Sequence, residues 1–269
     1  MAVKKYYAII AAIAASSAAP GLDMQVVAHR GLPDTYVENT AESIGKAYEL
    51  GATWVETDFH HTKAGQMVCI HCSKVLKELS GVDKKISDLT PEDVANINIG
   101  KRDGKNRRIP LMPEIFKLVP KNAVLQAEIK GYSPQYADIF VREMKAAGLK
   151  PSNFLISSFQ DTPLKDFKKK YPQFDTMWLV PHDKYKIDEL LAKARDINVK
   201  YIALGGRGAE KIDPAYAQAI RDAGFDFRMW GVHTPAALKA AAALGATGFT
   251  TNHYKKMLTV SIKGVRLLP

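Results

Sequence analysis

The feature that most constrains the fold is a regular alternation of β-like and α-like segments from about residue 24 to residue 251. Helical segments lie between strand-like ones, as at 40–50, where Thr40 is a typical N-cap and Gly51 a typical helix stop. Regular alternation over this length is typical of a parallel α/β fold. Eight segments have the pattern of buried strands: Met24–His29, Thr53–Asp58, Ala123–Lys130, Asn153–Phe159, Phe174–Val180, Lys200–Leu204, Asp226–Val232 and Thr247–Thr251.

Eight such units predict a TIM (β/α)8 barrel, and the 269 residues suit one domain of this kind. An open doubly wound sheet is the alternative, but no Gly-rich phosphate-binding motif follows the first strand. An additional strand is predicted at Gln66–His71. Residues 72–109 then replace one βα connection, and loops beyond about 15 residues usually carry function or structure of their own. We therefore expect a small insertion after strand 2 that caps the mouth of the barrel.

The N-terminus has the pattern of an export signal over residues 1–19. Lys4 and Lys5 precede the apolar stretch Tyr6–Ala15, and small residues follow it. A span needs about 20 apolar residues, so we expect no stable membrane span once the signal is removed. The sequence thus predicts a barrel domain over residues 20–269 that is exported, to the periplasm or outside the cell.

The formal charge of +10 falls to +8 (10 − 2) without Lys4 and Lys5. The run Lys101–Arg108 is locally basic, but no nucleic-acid-binding module is present. We interpret the charge as a solvated basic face that helps to attract anionic substrates. The expected partner is a small-molecule phosphodiester rather than nucleic acid, and the oligomeric state stays open.

The two cysteines, Cys69 and Cys72, form a C-x-x-C pattern. A single such pair is a weak signal for zinc. Residues three apart on an extended strand point to opposite faces, which disfavours a disulfide between them. We interpret both as structural or incidental.

Polar residues stand at the ends of the first three barrel strands, where active sites of TIM barrels lie. His29 ends the first strand, and Glu56 and Asp58 end the second. Glu128 and Lys130 end the third. A spacing of two places each pair on one face of its strand. These side chains are therefore expected to meet at the barrel mouth.

This set of residue types suits the cleavage of a phosphodiester with one hard metal ion. The three carboxylates predict a site for Mg²⁺ or Ca²⁺, with Mn²⁺ possible. Arg30 can bind two phosphate oxygens at once, and Lys130 adds a point charge. His29 and His71 can act as general acid and base, in either order. The alternative explanations are structural histidines and an ordinary Glu128–Lys130 ion pair.

These motifs resemble the glycerophosphodiester phosphodiesterase family. The family pattern H-R-G, P-E-N-T, E-x-D, H-D appears here as His29-Arg30-Gly31, Val37-Glu38-Asn39-Thr40, Glu56-Thr57-Asp58 and His71-Cys72, with Glu128, Lys130, Ser158-Phe159 and Trp230 further on. The resemblance implies a barrel with an insertion after strand 2 and a divalent cation on the three carboxylates. It also implies catalysis by both histidines and release of an alcohol and glycerol 3-phosphate. Substrate or phosphate contacts are implied for Arg30, Lys130, Glu38, Phe159 and Trp230.

Departures from the pattern leave other functions open. Val37 replaces Pro, Cys72 replaces the Asp that follows the second histidine, and Asn252 stands where Asp is usual. His60 is in phase with the acidic pair on strand 2. The alternatives are a phospholipase-D-like enzyme acting on lysolipids or sphingolipids, and a non-catalytic exported protein that binds phosphodiesters.

Overall fold

The computed structural model describes residues 21–100, 103–206, 208 and 211–269. The predicted signal peptide, residues 1–19, lies outside the described residues. Within them, no helix combines the length and apolar character needed to cross a membrane.

The alternation predicted from the sequence is present along the described chain. Its strands are β1 (Leu22–Ala28), β2 (Trp54–His61), β3 (Met67–Cys69), β4 (Val124–Ile129), β5 (Phe154–Ser158), β6 (Asp175–Pro181), β7 (Tyr201–Gly205), β8 (Asp226–Trp230), β9 (Gly248–Thr251) and β10 (Val265–Leu268). Its α-helices are α1 (Ala41–Glu49), α2 (Ser73–Ser80), α3 (Pro91–Asn96), α4 (Met112–Phe116), α5 (Tyr136–Ala146), α6 (Asp161–Lys170), α7 (Ile187–Ile197), α8 (Pro214–Asp222), α9 (Pro235–Ala243) and α10 (Tyr254–Leu258).

Eight parallel strands close into a barrel, which confirms the predicted TIM (β/α)8 fold. The order is β1, β2, β4, β5, β6, β7, β8 and β9, and the circle closes where β1 pairs with both β9 and β2. Each barrel strand is buried on both faces, as expected when helices cover a parallel sheet. Two further strands extend this sheet: β10 runs parallel to the first half of β1, and β3 runs antiparallel to the end of β2.

The first βα connection shows how local sequence positions the site. The Thr40 side chain accepts a hydrogen bond from the Ser43 backbone N–H and caps α1, as predicted. Gly31 has a φ of +82°, and a Cβ there would lie 2.5 Å from atoms of Ser43. Only glycine fits this close approach, so the chain turns sharply after β1 and brings Arg30 back over the barrel end.

The insertion has a small hydrophobic core of its own. The predicted strand at Gln66–His71 is the short β3, after which α2 ends at Gly81 in a left-handed conformation. Helix α3 starts at a capping box formed by Thr90 and Asp93. Buried side chains of this core include Val68, Ile70, Leu76, Leu79, Ile86, Leu89, Val94, Ile97, Ile99 and Ile109. That the insertion caps the barrel mouth stays a prediction.

Arg107 and Arg108, two arginines of the basic run 101–108, are paired with carboxylates. Arg107 Nε donates to Glu42 at 3.0 Å, and its Nη1 pairs with Asp103. Arg108 donates to Glu114. Since their charges are balanced locally, these arginines add little to any extended positive surface.

Candidate active site

A cavity of about 310 Å³ opens at the carboxyl ends of the barrel strands. Eight of the residues singled out from the sequence line it: His29, Arg30, Glu56, His71, Glu128, Lys130, Phe159 and Trp230. Asp58 is fully buried next to them, and Glu38 lies beside Arg30. The structure therefore brings together at one cavity residues that are spread over some 200 positions of the chain.

Three carboxylates form a compact acidic cage. Asp58 on β2 is the register partner of Glu128 on β4, and Glu56 lies one pleat earlier on the same face. One oxygen from each lies within 4.8 Å of the others. Among the described residues, the buried Glu56 Oε1 has no hydrogen-bond partner, while Glu56 Oε2 accepts from the Arg30 backbone N–H at 3.0 Å.

This cage fits a hard divalent cation. A buried carboxylate oxygen without a donor is costly, and coordination to a cation would satisfy it. All three donors are carboxylates, which suits Mg²⁺ or Ca²⁺ better than zinc. Glu56, Asp58 and Glu128 are thus the residues that would hold the ion, as the sequence predicted.

The Asn39 side chain is hydrogen-bonded to two residues of β2, Thr57 and Asp58. Its Nδ2 donates to Asp58 Oδ2 at 2.8 Å, and its Oδ1 accepts from Thr57 Oγ1 at 2.8 Å and from the Asp58 backbone N–H at 3.1 Å. Asn39 is buried and has a φ of +56°, a conformation that asparagine adopts more readily than most residues. The asparagine of the E-N-T motif therefore orients a cage carboxylate.

Two cations flank the cage. Arg30 Nε lies 3.3 Å from Asp58 Oδ2, and its Nη1 donates to Glu38 at 2.9 Å. Lys130 Nζ lies 2.8 Å from Glu128 Oε1 and 3.4 Å from Asp58 Oδ1. Glu38, for which the resemblance implies a substrate contact, holds the Arg30 guanidinium in this structure. Both cations line the cavity, where an anionic diester would meet them.

The charges of the carboxylates differ because their surroundings differ. Burial, reinforced by Asp58, raises the pKa of Glu128 to about 8 and raises that of Glu56 well above its usual value. Burial acts on Asp58 in the same direction, but Lys130 and Arg30 outweigh it and lower the pKa to about 2. Asp58 therefore carries the firmest negative charge of the cage, whereas burial favours the protonated forms of Glu56 and Glu128.

The two predicted catalytic histidines have different surroundings. His29 Nδ1 lies 2.5 Å from Asn252 Oδ1, and its Nε2 lies 3.7 Å from Glu56 Oε2. Because the amide oxygen accepts, Nδ1 carries the proton and Nε2 presents a lone pair. Burial, followed by the nearby Arg30 charge, lowers the pKa of His29 to about 3, so the free ring is neutral at pH 7.

His71 has no such orienting partner. Its Nδ1 is buried without a hydrogen-bond partner among the described residues, in keeping with Cys72 replacing the usual Asp. Burial lowers the pKa of His71 to about 4. His60 does not line the cavity, and its Nε2 donates to the His71 backbone carbonyl at 3.0 Å. Cys69 and Cys72 are free thiols, and their interpretation as structural or incidental residues stays a prediction.

Aromatic side chains line the far wall of the cavity. Phe159 and Trp230 pack edge to face with ring centroids 5.3 Å apart, and Lys130 Nζ lies 5.6 Å from the Phe159 ring. Trp230 Nε1 donates to the Val180 carbonyl. This part of the cavity lining is thus apolar and held in a defined orientation.

Sequence reasoning missed several residues of the cavity. Gln126, Leu179, Gly231, His233 and Thr250 also line it. His233 follows β8 by three residues, so the rule that polar residues after barrel strands face the site could have found it. Gln126 lies two residues before Glu128 on the same face of β4 and was detectable by the same alternation.

The comparisons with known proteins agree on a family. The Glycerophosphoryl diester phosphodiesterase family profile matches residues 29–256. A glycerophosphodiester phosphodiesterase of Caldanaerobacter subterraneus subsp. tengcongensis is 35% identical over 155 residues, which are 55% of this chain and 63% of that relative. The alignment thus spans under two thirds of that relative's length.

Solved structures show the same fold. The glycerophosphodiester phosphodiesterase of Thermotoga maritima aligns with a TM-score of 0.71 at 24% identity and covers 88% of this chain and 98% of that one. An Oleispira antarctica phosphodiesterase, solved in complex with the product sn-glycerol-3-phosphate, aligns with a TM-score of 0.75 at 20% identity. That alignment covers 87% of this chain and 94% of the other.

Proposed function

This chain belongs to the glycerophosphoryl diester phosphodiesterase family, and we propose that it hydrolyses glycerophosphodiesters to an alcohol and sn-glycerol 3-phosphate. The reaction uses one divalent cation, Mg²⁺ or Ca²⁺, held by Glu56, Asp58 and Glu128. The observation that carries the proposal is the convergence of this acidic cage, two imidazoles and two cations on one cavity. Such a site has groups that can transfer the protons and stabilise the negative charge involved in the cleavage of a diester.

Arg30 and Lys130 bind the phosphate. The diester is an anion, and both cations line the cavity with their charged groups held by neighbouring carboxylates. The guanidinium can donate two parallel hydrogen bonds to phosphate oxygens, whereas the ammonium acts as a point charge. When bound, the divalent cation neutralises phosphate charge and stabilises the charge that develops in the transition state.

His29 acts as the general base and His71 as the general acid. The hydrogen bond to Asn252 fixes the His29 proton on Nδ1, which leaves Nε2 free to take a proton from the nucleophile. Attack by water displaces the alcohol directly, whereas attack by the glycerol hydroxyl displaces it with formation of a cyclic phosphate, which water must then open to give sn-glycerol 3-phosphate. His71, which also lines the cavity, supplies a proton to the departing alcohol oxygen. The bound diester adds negative charge near both rings and so raises the pKa of each, which favours proton uptake.

Phe159 and Trp230 provide the apolar wall for the substrate. Their edge-to-face packing fixes the shape of that wall. A short alcohol or the carbon skeleton of glycerol fits there. The cavity of about 310 Å³ is in the lower range for small-molecule sites.

The test is hydrolysis of glycerophosphocholine by the purified protein, with Mg²⁺ or Ca²⁺ and with chelator. We expect choline release that chelator abolishes. His29→Ala and His71→Ala should each lower kcat by at least about 100-fold. His61→Ala is the matched control, because His61 on β2 is also a partly buried histidine but does not line the cavity. Full activity in either cavity variant would refute the assigned roles.

The same assay separates the two alternatives. Faster turnover of lysophosphatidylcholine than of glycerophosphocholine would favour the phospholipase-D-like function. Binding of glycerophosphocholine without any chelator-sensitive product would favour a non-catalytic binding protein. Export by residues 1–19 remains part of the proposal, and the N-terminal sequence of the secreted protein would test it.

A further inference from the structure

A third imidazole borders the cavity and has no part in the roles assigned above. His233 is half-buried, follows β8 and lines the cavity beside Trp230 and Gly231. Its Nδ1 accepts a hydrogen bond from the Asn252 backbone N–H at 3.1 Å. A ring nitrogen that accepts carries no proton, so the proton of the neutral ring is on Nε2.

Asn252 gives the two rings opposite tautomers. Its backbone N–H donates to His233, while its side-chain Oδ1 accepts from His29. His233 Nε2 is therefore a hydrogen-bond donor, and His29 Nε2 is an acceptor. Asn252 thus sets up a matched donor and acceptor at one end of the cavity.

The spacing of the two rings fits one hydroxyl oxygen between them. The centroids of His29 and His233 are 6.2 Å apart, with planes tilted by 32°. An oxygen hydrogen-bonded to both Nε2 atoms would lie about 4 Å from each centroid, an arrangement with an angle of about 100° at the oxygen. A hydroxyl both accepts and donates, as this pair requires, whereas an ionised phosphate oxygen can only accept.

The surroundings of His233 keep it available as a neutral donor. Burial lowers the pKa of His233, and the charges of His253 and Arg30 act in the same direction. The His253 ring packs edge to face against it at 5.9 Å and restrains its orientation. Gly231 has no side chain, and even a Cβ there would lie 4.0 Å from His233 Nε2, so the approach to the donor is open.

We propose that His233 donates from Nε2 to a hydroxyl of the substrate's glycerol moiety and so selects phosphorylated polyols over ligands that lack the hydroxyl. This inference rests on the proposed function, because it places the glycerol moiety in the same cavity. His233 acts by direct contact with that hydroxyl. The same hydrogen bond orients the hydroxyl so that its own proton points towards the lone pair of His29 Nε2.

Calorimetric titration with sn-glycerol 3-phosphate and with propyl phosphate, both in the presence of Ca²⁺, tests the selectivity. The two ligands differ by two hydroxyls, one of which accepts from His233, so the unaltered protein should prefer sn-glycerol 3-phosphate by at least about tenfold, the amount expected for one hydrogen bond. His233→Phe keeps a ring without a donor and should lower that preference by about tenfold. His233→Gln keeps an N–H donor and should restore most of it. An unchanged preference in His233→Phe, or no preference in the unaltered protein, would overturn the proposal.

Two further results separate this inference from the proposed catalysis. Imidazole ¹⁵N shifts should show the Nε2–H tautomer for His233 and the Nδ1–H tautomer for His29, and the reverse assignment would overturn the hydrogen-bond scheme. If the protein prefers sn-glycerol 3-phosphate in the way described but does not hydrolyse glycerophosphocholine, the proposed catalysis fails and the role of His233 is supported.

Discussion

Replacement of Asn39 by alanine should destabilise the protein strongly, because it removes three buried hydrogen bonds behind the acidic cage. Thr57 Oγ1 can still hydrogen-bond to Cys69 Sγ, 2.7 Å away, so the loss of the hydrogen bond between Thr57 and Asn39 is partly offset. The orphaned Asp58 amide costs about 1–3 kcal/mol, and the lost bond to its carboxylate about 1.5–3 kcal/mol. Alanine at a φ of +56° adds about 1 kcal/mol. Because Arg30 still contacts the Asp58 carboxylate, we expect the free energy of unfolding to fall by about 4–5 kcal/mol in total.

Asn198→Ala is the matched control. Asn198 also has a left-handed conformation, with a φ of 61°, but it is exposed at the end of α7. Its replacement should cost only the backbone part, about 1 kcal/mol. Urea denaturation in the presence of chelator, monitored by circular dichroism, measures the free energy of unfolding of both variants. The comparison requires that their m-values are equal. The hydrogen-bond account of Asn39 fails if the two losses differ by less than about 1 kcal/mol.

Three further outcomes are expected. Burial raises the pKa of Glu128 to about 8, so Ca²⁺ binding at pH 7 should displace protons, and the affinity for Ca²⁺ should increase as pH rises towards 8. Calorimetry in buffers of different ionisation enthalpy measures both the affinity and the proton release. Binding without proton release would contradict this prediction. Gly31→Ala would place a Cβ 2.5 Å from a serine of α1 and should prevent stable folding, whereas Gly51→Ala, with similar φ and open space, should cost about 1 kcal/mol in urea denaturation. The hydrogen bond from Lys84 helps to lower the pKa of Asp93 to about 2, so the stability that Asp93 contributes is present above about pH 4 and is lost as pH falls towards 2. Urea midpoints of the unaltered protein and Asp93→Asn should therefore converge over that range, and a constant difference would contradict it.

The fold was predictable because its signal is local and repeated. Each strand–helix unit carries its own periodicity and its own stop, as Thr40 and Gly51 show for α1. The capping box at Thr90 was equally local and located α3 inside the insertion. The hydrophobic core of the insertion was not predictable, because its members come from β3, α2 and the chain beyond α3 and have no common period.

The acidic cage and His29, which follows β1, were also within reach of the sequence. Their positions follow from two rules: residues two apart share a face of a strand, and the carboxyl ends of barrel strands meet. Glu56, Asp58 and Glu128 satisfy both rules. The role of Glu38 was not predictable in this way, because only the structure shows that its carboxylate holds Arg30.

By itself, the sequence determined the order of strands and helices and the residue types that gather at the barrel mouth, since both follow from patterns over a few neighbouring positions. Tertiary structure alone decided which groups carry protons and which way they face. Asn252 lies more than 200 positions from His29 in the chain, yet it orients the ring of that residue. Burial raises the pKa of Glu128, whereas the charges of Lys130 and Arg30 outweigh burial at Asp58 and lower its pKa. Hydrogen bonding and desolvation depend on distances that exist only after the barrel has closed.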